Sequence, residues 1–229
     1  NKYLLKTLPT AEVVLLKRIL PKYIEHLEQY PNSLLTRFFG IHSIKNAQDS
    51  TPTELVVMEN LFCSVYGINE QYDLKGSTAD RHVEVEEVTS DIARKDLDFN
   101  RKLKLSIPAK ICLLEQAERD CKFLEQHNLC DYSLLVGIHF FEKDGPLPLK
   151  PDENHQTRLF KKDFGGIMSA DGRELYFIGI IDTLTCYSLQ KRSERALKIV
   201  LNYESSSISA MSPIPYRKRF QRFLGSILE

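Results

Sequence analysis

Apolar positions fall in short runs divided by polar turns, with three stretches of helical spacing between them. Lys2-Tyr-Leu-Leu-Lys-Thr-Leu8 predicts a strand. Helical spacing follows over Ala11–Leu20, with Thr10 as the expected N-cap. Pro21 is expected to break or restart that helix, and Tyr23, Ile24 and Leu27 continue its stripe to Pro31. Leu34–Lys45 and Glu54–Asn60 predict two more strands, an antiparallel pair around a polar turn. Pro108–His127 carries the clearest helical pattern, with proline in the first turn and Leu114, Ala117, Cys121 and Leu124 on one face. Tyr216–Leu228 predicts an amphipathic helix. Residues 82–100 and 140–162 are charged or rich in Pro and Gly and read as loops.

Two apolar runs carry an acid at one end. Asp131-Tyr-Ser-Leu-Leu-Val-Gly-Ile-His139 opens with its carboxylate, and Leu175-Tyr-Phe-Ile-Gly-Ile-Ile-Asp182 closes with one. Both runs read as buried strands. Pairing of the two would bring Asp131 and Asp182 to one cleft. A kinase needs such a pair: one carboxylate orients and deprotonates a hydroxyl, the other holds magnesium on the nucleotide phosphates. Each acid alone is also an ordinary turn former.

Composition narrows the classes. The 229 residues suffice for one large domain or two lobes around a cleft. Lys+Arg and Asp+Glu both number 31, so the zero net charge argues against a general polyanion binder and against nucleic acid as partner. No apolar run approaches the roughly 18–20 residues that span a bilayer. The five cysteines are odd in number and lack CxxC spacing, so zinc and disulfide frameworks are not expected and a reducing, cytoplasmic setting fits. The first residue is Asn and no signal peptide precedes it, which reads as a fragment.

Further candidates surround the two acids. Lys6 on a strand, followed by Glu12 near a helix start, resembles a nucleotide-binding small lobe; Lys6 also reads as an ordinary exposed strand lysine. Asn60 and Leu61 form a hinge whose backbone groups could face an adenine edge. In Tyr72-Asp-Leu-Lys-Gly-Ser-Thr-Ala-Asp-Arg81, the Lys75-Gly-Ser-Thr segment sets a cation beside a turn with two hydroxyls, suited to gripping phosphate. The same tripeptide occurs in plain surface turns.

Taken in order, Tyr-Asp-Leu-Lys-Gly-Ser-Thr (72–78), the run from Asp131 to His139, and Ile-Gly-Ile-Ile-Asp (178–182) resemble the phosphatidylinositol phosphate kinase family over nearly the whole chain. The resemblance implies an α+β, two-lobed kinase-like fold with antiparallel sheets and a flat membrane-facing surface. It implies one catalytic domain over 1–229: a small lobe at 1–60 and a large lobe at 61–229, with an activation loop at 183–215. It implies transfer of the ATP γ-phosphate, with Mg2+, to the inositol ring of a membrane phosphoinositide, peripheral location at the cytosolic face, and homodimer formation. By position, Lys6 matches the phosphate-contacting lysine, with Glu12 as its helix partner. Asp131 matches the catalytic aspartate and Asp182 the magnesium ligand. Lys75 lies near the phosphates or the lipid headgroup.

The loop sequence Lys191-Arg192-Ser193-Glu194-Arg195 is similar to that of type I enzymes, the 4-phosphate 5-kinases, which carry Glu where type II enzymes carry Ala. The 3-phosphate 5-kinases share that Glu, and Val136-Gly-Ile-His139 looks more like type II. Arg81, Lys191, Arg192, Arg195, Lys198, Arg217, Lys218 and Arg219 are expected to supply a local basic patch. The Gly-rich phosphate loop that the family carries before Lys6 is missing, which reads as truncation or disorder.

Overall fold

The computed structural model describes residues 1–45, 51–78, 81–83, 92–142, 166–187 and 211–229. Strands β1 (Tyr3–Thr7), β2 (Phe38–Ile44) and β3 (Thr53–Glu59) form an antiparallel sheet in the order β1-β3-β2. Helix α1 (Thr10–Gln29) turns Val13, Leu15, Leu16, Ile19 and Tyr23 inward, the spacing that one face of a helix imposes. Its core side chains cluster with Val56 of β3, and the Tyr23 ring meets Phe38 of β2 at 5.6 Å.

A second antiparallel sheet contains β4 (Glu70–Leu74), β5 (Ser133–Phe140), β6 (Ile167–Met168) and β7 (Glu174–Ile181), in the order β4-β5-β7-β6. Helices α2 (Ile107–Gln126) and α3 (Pro213–Ile227) pack together beside it. Residues 96–98 form one 3-10 turn. The central strands β5 and β7 are buried along most of their length, which accounts for their continuous apolar runs. A Cβ on Gly137 would lie 2.5 Å from Phe62 Cε1, and one on Gly179 would lie 3.1 Å from Leu61 Cδ2. Bare backbone at these two positions lets the connection after β3 press its Leu-Phe pair onto the larger sheet.

Several expectations need correcting. Pro9 is the N-cap of α1 and Thr10 is its first residue; no side-chain cap bond forms there. Pro21 does not interrupt α1. It lies on the exposed face, as does Lys17, so the carbonyl that loses its amide partner faces water. Leu34–Arg37 is not part of β2. Leu35 forms a bridge with Ile180, Thr36 N–H donates to Ile180 O at 3.1 Å, and Ile180 N–H donates to Leu34 O at 2.7 Å. Strand β4 arises where only a phosphate turn was expected, and α3 starts at Pro213, inside the expected loop 183–215. Within that loop, Thr183–Tyr187 is tied to the residues before β5: Cys130 N–H donates to Thr185 O and Tyr187 N–H to Asn128 O, both at 3.0 Å.

A buried polar hub joins α1, α2 and the linker that precedes β2. Asp120 of α2 is fully buried and accepts from Ser33 Oγ (2.8 Å), Leu34 N–H (2.7 Å) and Gln116 Nε2 (2.9 Å), and it pairs with His26 Nε2 of α1 at 2.6 Å. A buried carboxylate keeps its place only when its lone pairs are filled, and here four groups from α1, α2 and the linker fill them. Asp120→Ala is expected to lower the unfolding free energy by about 3–5 kcal/mol, because it strands a buried amide, a hydroxyl and His26. Asp120→Asn is expected to lose less, since it keeps the shape and one acceptor. Urea unfolding monitored by circular dichroism measures both.

Candidate active site

Antiparallel pairing brings the start of one strand to the end of its neighbour. Ser133 of β5 stands opposite Ile181 of β7, so Asp131 and Asp182 leave the sheet at the same end. Each takes a left-handed backbone conformation, with φ of 66° at Asp131 and 57° at Asp182. Non-glycine residues sit there at a cost, and Asp is among the few that tolerate it. The turn out of the sheet re-aims both carboxylates into a cleft of about 220 Å³. Residue 132 anchors the first turn: the Tyr132 and Tyr216 rings lie 4.7 Å apart, edge to face, and Tyr216 Oη donates to the Tyr132 carbonyl.

Lys6, Leu8, Glu12, Thr36, Phe38, Val56 and Met58 line the cleft from the smaller sheet and α1. Lys75, Asp131 and residues 182–185 line it from the other side. Two lysine–aspartate pairs line it, and the first bridges its two sides. Lys6 Nζ lies 2.8 Å from Asp182 Oδ1, and Lys75 Nζ lies 2.9 Å from Asp131 Oδ1. The first pair is half exposed (side chains 50% and 43%) and the second is shielded (16% and 15%). Glu12 enters from the first turn of α1. Burial raises its pKa, Lys6 opposes the rise, and the nearby Asp182 charge adds to it.

Other sequence candidates lie elsewhere. Asn60 and Leu61 are outside the cleft lining. The Asn60 side chain donates to Asn1 O at 2.8 Å and accepts from Phe62 N–H at 3.1 Å, and Leu61 packs on Gly179. Arg81 was expected in an exposed basic patch, yet it is 8% exposed. Its guanidinium donates to Asp96 at 2.6 Å and to the Asp73 carboxylate at 2.9 Å. Burial works against its charge, and Asp96 and Asp73 outweigh it, so its pKa is raised.

The same carboxylate of Asp96 occupies the turn that was expected to grip phosphate. It accepts from the backbone N–H groups of Lys75 (3.0 Å), Gly76 (2.6 Å) and Ser77 (3.3 Å). Of the remaining patch residues, Arg217 is held by Glu125 at 2.5 Å and Arg219 lies over the Tyr216 ring at 4.9 Å; Lys218 is exposed. Lys191, Arg192, Glu194, Arg195 and Lys198 lie outside the described residues.

The cleft offers charged and apolar groups that would suit a nucleotide carrying a divalent ion. Among the described residues no cluster of three His, Cys, Asp or Glu side chains could hold a metal. A divalent ion here would take the Asp182 carboxylate and complete its shell from phosphate oxygens and water, the habit of Mg2+. The apolar side chains of Leu8, Phe38, Val56, Met58 and Leu184 suit a flat base.

Two antiparallel sheets with a lysine–aspartate cleft between them define a kinase-like fold. The family model described as Phosphatidylinositol-4-phosphate 5-Kinase matches residues 1–227, and the chain belongs to that family. It is 36% identical over 286 residues to a Dictyostelium discoideum protein named "Probable phosphatidylinositol phosphate kinase", covering 100% of this chain and 40% of that protein. It is 35% identical over 247 residues to phosphatidylinositol 4-phosphate 5-kinase of Plasmodium falciparum (isolate 3D7), covering 98% and 14%. It is 33% identical over 267 residues to phosphatidylinositol 4-phosphate 5-kinase 3 of Arabidopsis thaliana, covering 99% and 37%. The chain thus spans 14–40% of the length of these relatives.

Because the folded-state pKa of Glu12 is raised, its protonated form favours folding at low pH, and that contribution fades as pH rises through the folded value. Glu12→Gln is therefore expected to raise the thermal midpoint at pH 7. The difference should shrink to nothing below the ordinary carboxylate range. Differential scanning calorimetry between about pH 2.5 and pH 8 tests this.

Proposed function

We propose that this chain is the catalytic core of a lipid kinase. It transfers the γ-phosphoryl group of ATP to the inositol ring of phosphatidylinositol 4-phosphate, giving phosphatidylinositol 4,5-bisphosphate. The observation that carries this reading is the meeting of Asp131 and Asp182, each beside a lysine, where β5 and β7 leave the sheet. Relatives named phosphatidylinositol 4-phosphate 5-kinase support the choice of lipid, as does Glu194 in the loop sequence.

In this reaction the ring hydroxyl oxygen attacks the γ-phosphorus and its proton passes to the Asp131 carboxylate. A new P–O bond forms, the bond to the β–γ bridging oxygen breaks, and ADP leaves with the electron pair. Lys75 holds the Asp131 carboxylate in place. Lys6 contacts the nucleotide phosphates, and Glu12 adds a carboxylate beside it. Asp182 would hold Mg2+, which neutralises charge on the phosphates. Positioning and electrostatics supply most of the rate in phosphoryl transfer, so few groups suffice.

The lipid requires work at a membrane surface. No helix among the described residues is long and apolar enough to cross a membrane. Binding is therefore peripheral in this reading, at the cytosolic face, through Lys218 and the cations of 191–198. Each cation near an anionic leaflet contributes about 1 kcal/mol.

The test is a labelled-ATP assay of the full-length protein on vesicles carrying the 3-, 4- or 5-phosphate of phosphatidylinositol. Turnover is expected mainly on the 4-phosphate, and Asp182→Asn is expected to lower it by about 10³-fold or more. Glu194→Ala should shift preference toward the 5-phosphate. A wild-type preference for the 5-phosphate or 3-phosphate overturns the substrate and keeps the kinase. Wild-type inactivity on all three points to a non-catalytic phosphoinositide-binding scaffold.

A further inference from the structure

The lysine that meets Asp131 is held from behind by a carboxylate outside the cleft. Lys75 begins the turn after β4, and the first donors of that turn, the N–H groups of Lys75, Gly76 and Ser77, all converge on Asp96. Three backbone donors closing on one carboxylate form a cradle that fixes the path of the chain. Asp96 is itself locked. Its side chain is 6% exposed, and Arg81 Nε donates to its other oxygen at 2.6 Å.

Arg81 in turn spans to Asp73 at the end of β4, and Leu97 N–H donates to Arg81 O at 2.9 Å. The next acid ties the segment that carries Asp96 to the one that carries Arg81: Asp98 accepts from Lys95 N–H at 2.9 Å and Val83 N–H at 3.2 Å. On the other side stands α3. Gly76 has φ of +66°, and a Cβ there would lie 2.7 Å from Phe223 Cβ. The turn is thus held between a buried carboxylate and a phenylalanine, with only the Lys75 side chain reaching into the cleft.

We infer that Asp96 is a positioning residue for phosphoryl transfer: by filling the backbone cradle of Lys75–Ser77, with Arg81 as its counter-charge, it sets the Lys75 ammonium against the Asp131 carboxylate. This rests on the kinase reading above. Asp96 does not line the cleft, so it acts through Lys75. The consequence is a division of labour across the cleft. The half-exposed Lys6–Asp182 pair serves the nucleotide, and the shielded Lys75–Asp131 pair serves the hydroxyl. Loosening the cradle harms the transfer step and leaves nucleotide binding intact.

Asp96→Asn keeps the size of the side chain and sets an amide donor where three N–H groups and a guanidinium donate. The full-length protein is assayed on phosphatidylinositol 4-phosphate vesicles as wild type, Asp96→Asn, Lys75→Met and the double variant. Asp96→Asn is expected to lower kcat by about 10²-fold, as a small misplacement of a catalytic group does. KM for Mg-ATP should stay within about twofold. The double variant should be no slower than Lys75→Met, because a residue acting through Lys75 has nothing left to position. Multiplied losses in the double variant, or wild-type kcat in Asp96→Asn, overturn the inference.

Hydrogen exchange of the wild-type protein decides the matter if Asp96→Asn does not fold. The Lys75, Gly76 and Ser77 amides should be protected, and exchange at exposed-loop rates overturns the cradle. Wild-type inactivity on every lipid overturns the kinase reading itself, which the additive result in an active enzyme does not.

Discussion

The antiparallel register of β5 and β7 is the constraint on which the rest of the site depends. Both strands are buried along most of their length, so neither can display a carboxylate from within the sheet. The acids must stand where the chain leaves it. The Ser133–Ile181 pairing puts the entrance of one strand beside the exit of the other. A slip of one residue would turn every apolar side chain to the opposite face, so core packing protects the register and the register delivers the two acids. The left-handed backbone at both aspartates costs about 1–2 kcal/mol each on general grounds, a strain that packing around Tyr132 and Leu184 sustains.

The opposite wall of the cleft must be held against this frame, and polar rather than apolar contacts do much of that. Asp120 gathers α1, α2 and the linker at one buried carboxylate. The same linker grips both backbone groups of Ile180, two residues before Asp182. Helix α1, which carries Glu12, and strand β7, which leads to Asp182, are therefore tied through the same linker. The Leu61–Phe62 pair adds a second anchor where Gly137 and Gly179 leave room.

The two ion pairs of the cleft differ in physical character. Lys6–Asp182 is half in water, and such a pair adds little to stability, so either partner can be exchanged for a ligand. Lys75–Asp131 is shielded, and its lysine is fixed through Asp96 and Arg81. A basic residue read from sequence as part of a surface patch, Arg81, thus belongs to the interior scaffold.

Local pattern was enough to place most of the elements: the apolar runs mark β1, β5 and β7, helical spacing marks α2 and α3, and the acids at strand ends mark the two carboxylates of the cleft. It failed where long-range contacts decide. Leu34–Arg37 looks like the start of a strand, and only its bonds to Ile180 remove it from β2. Asp96 sits in a charged stretch with no period, and no local signal separates a carboxylate that fills a buried cradle from one that faces water. Arg81 was misplaced for the same reason. By itself the sequence determined the period of most elements, the family, and the two acids and two lysines at issue. Tertiary structure decided which lysine meets which acid, and which charges are buried. Those pairings join residues 56 and 176 positions apart, and only packing sets their distances.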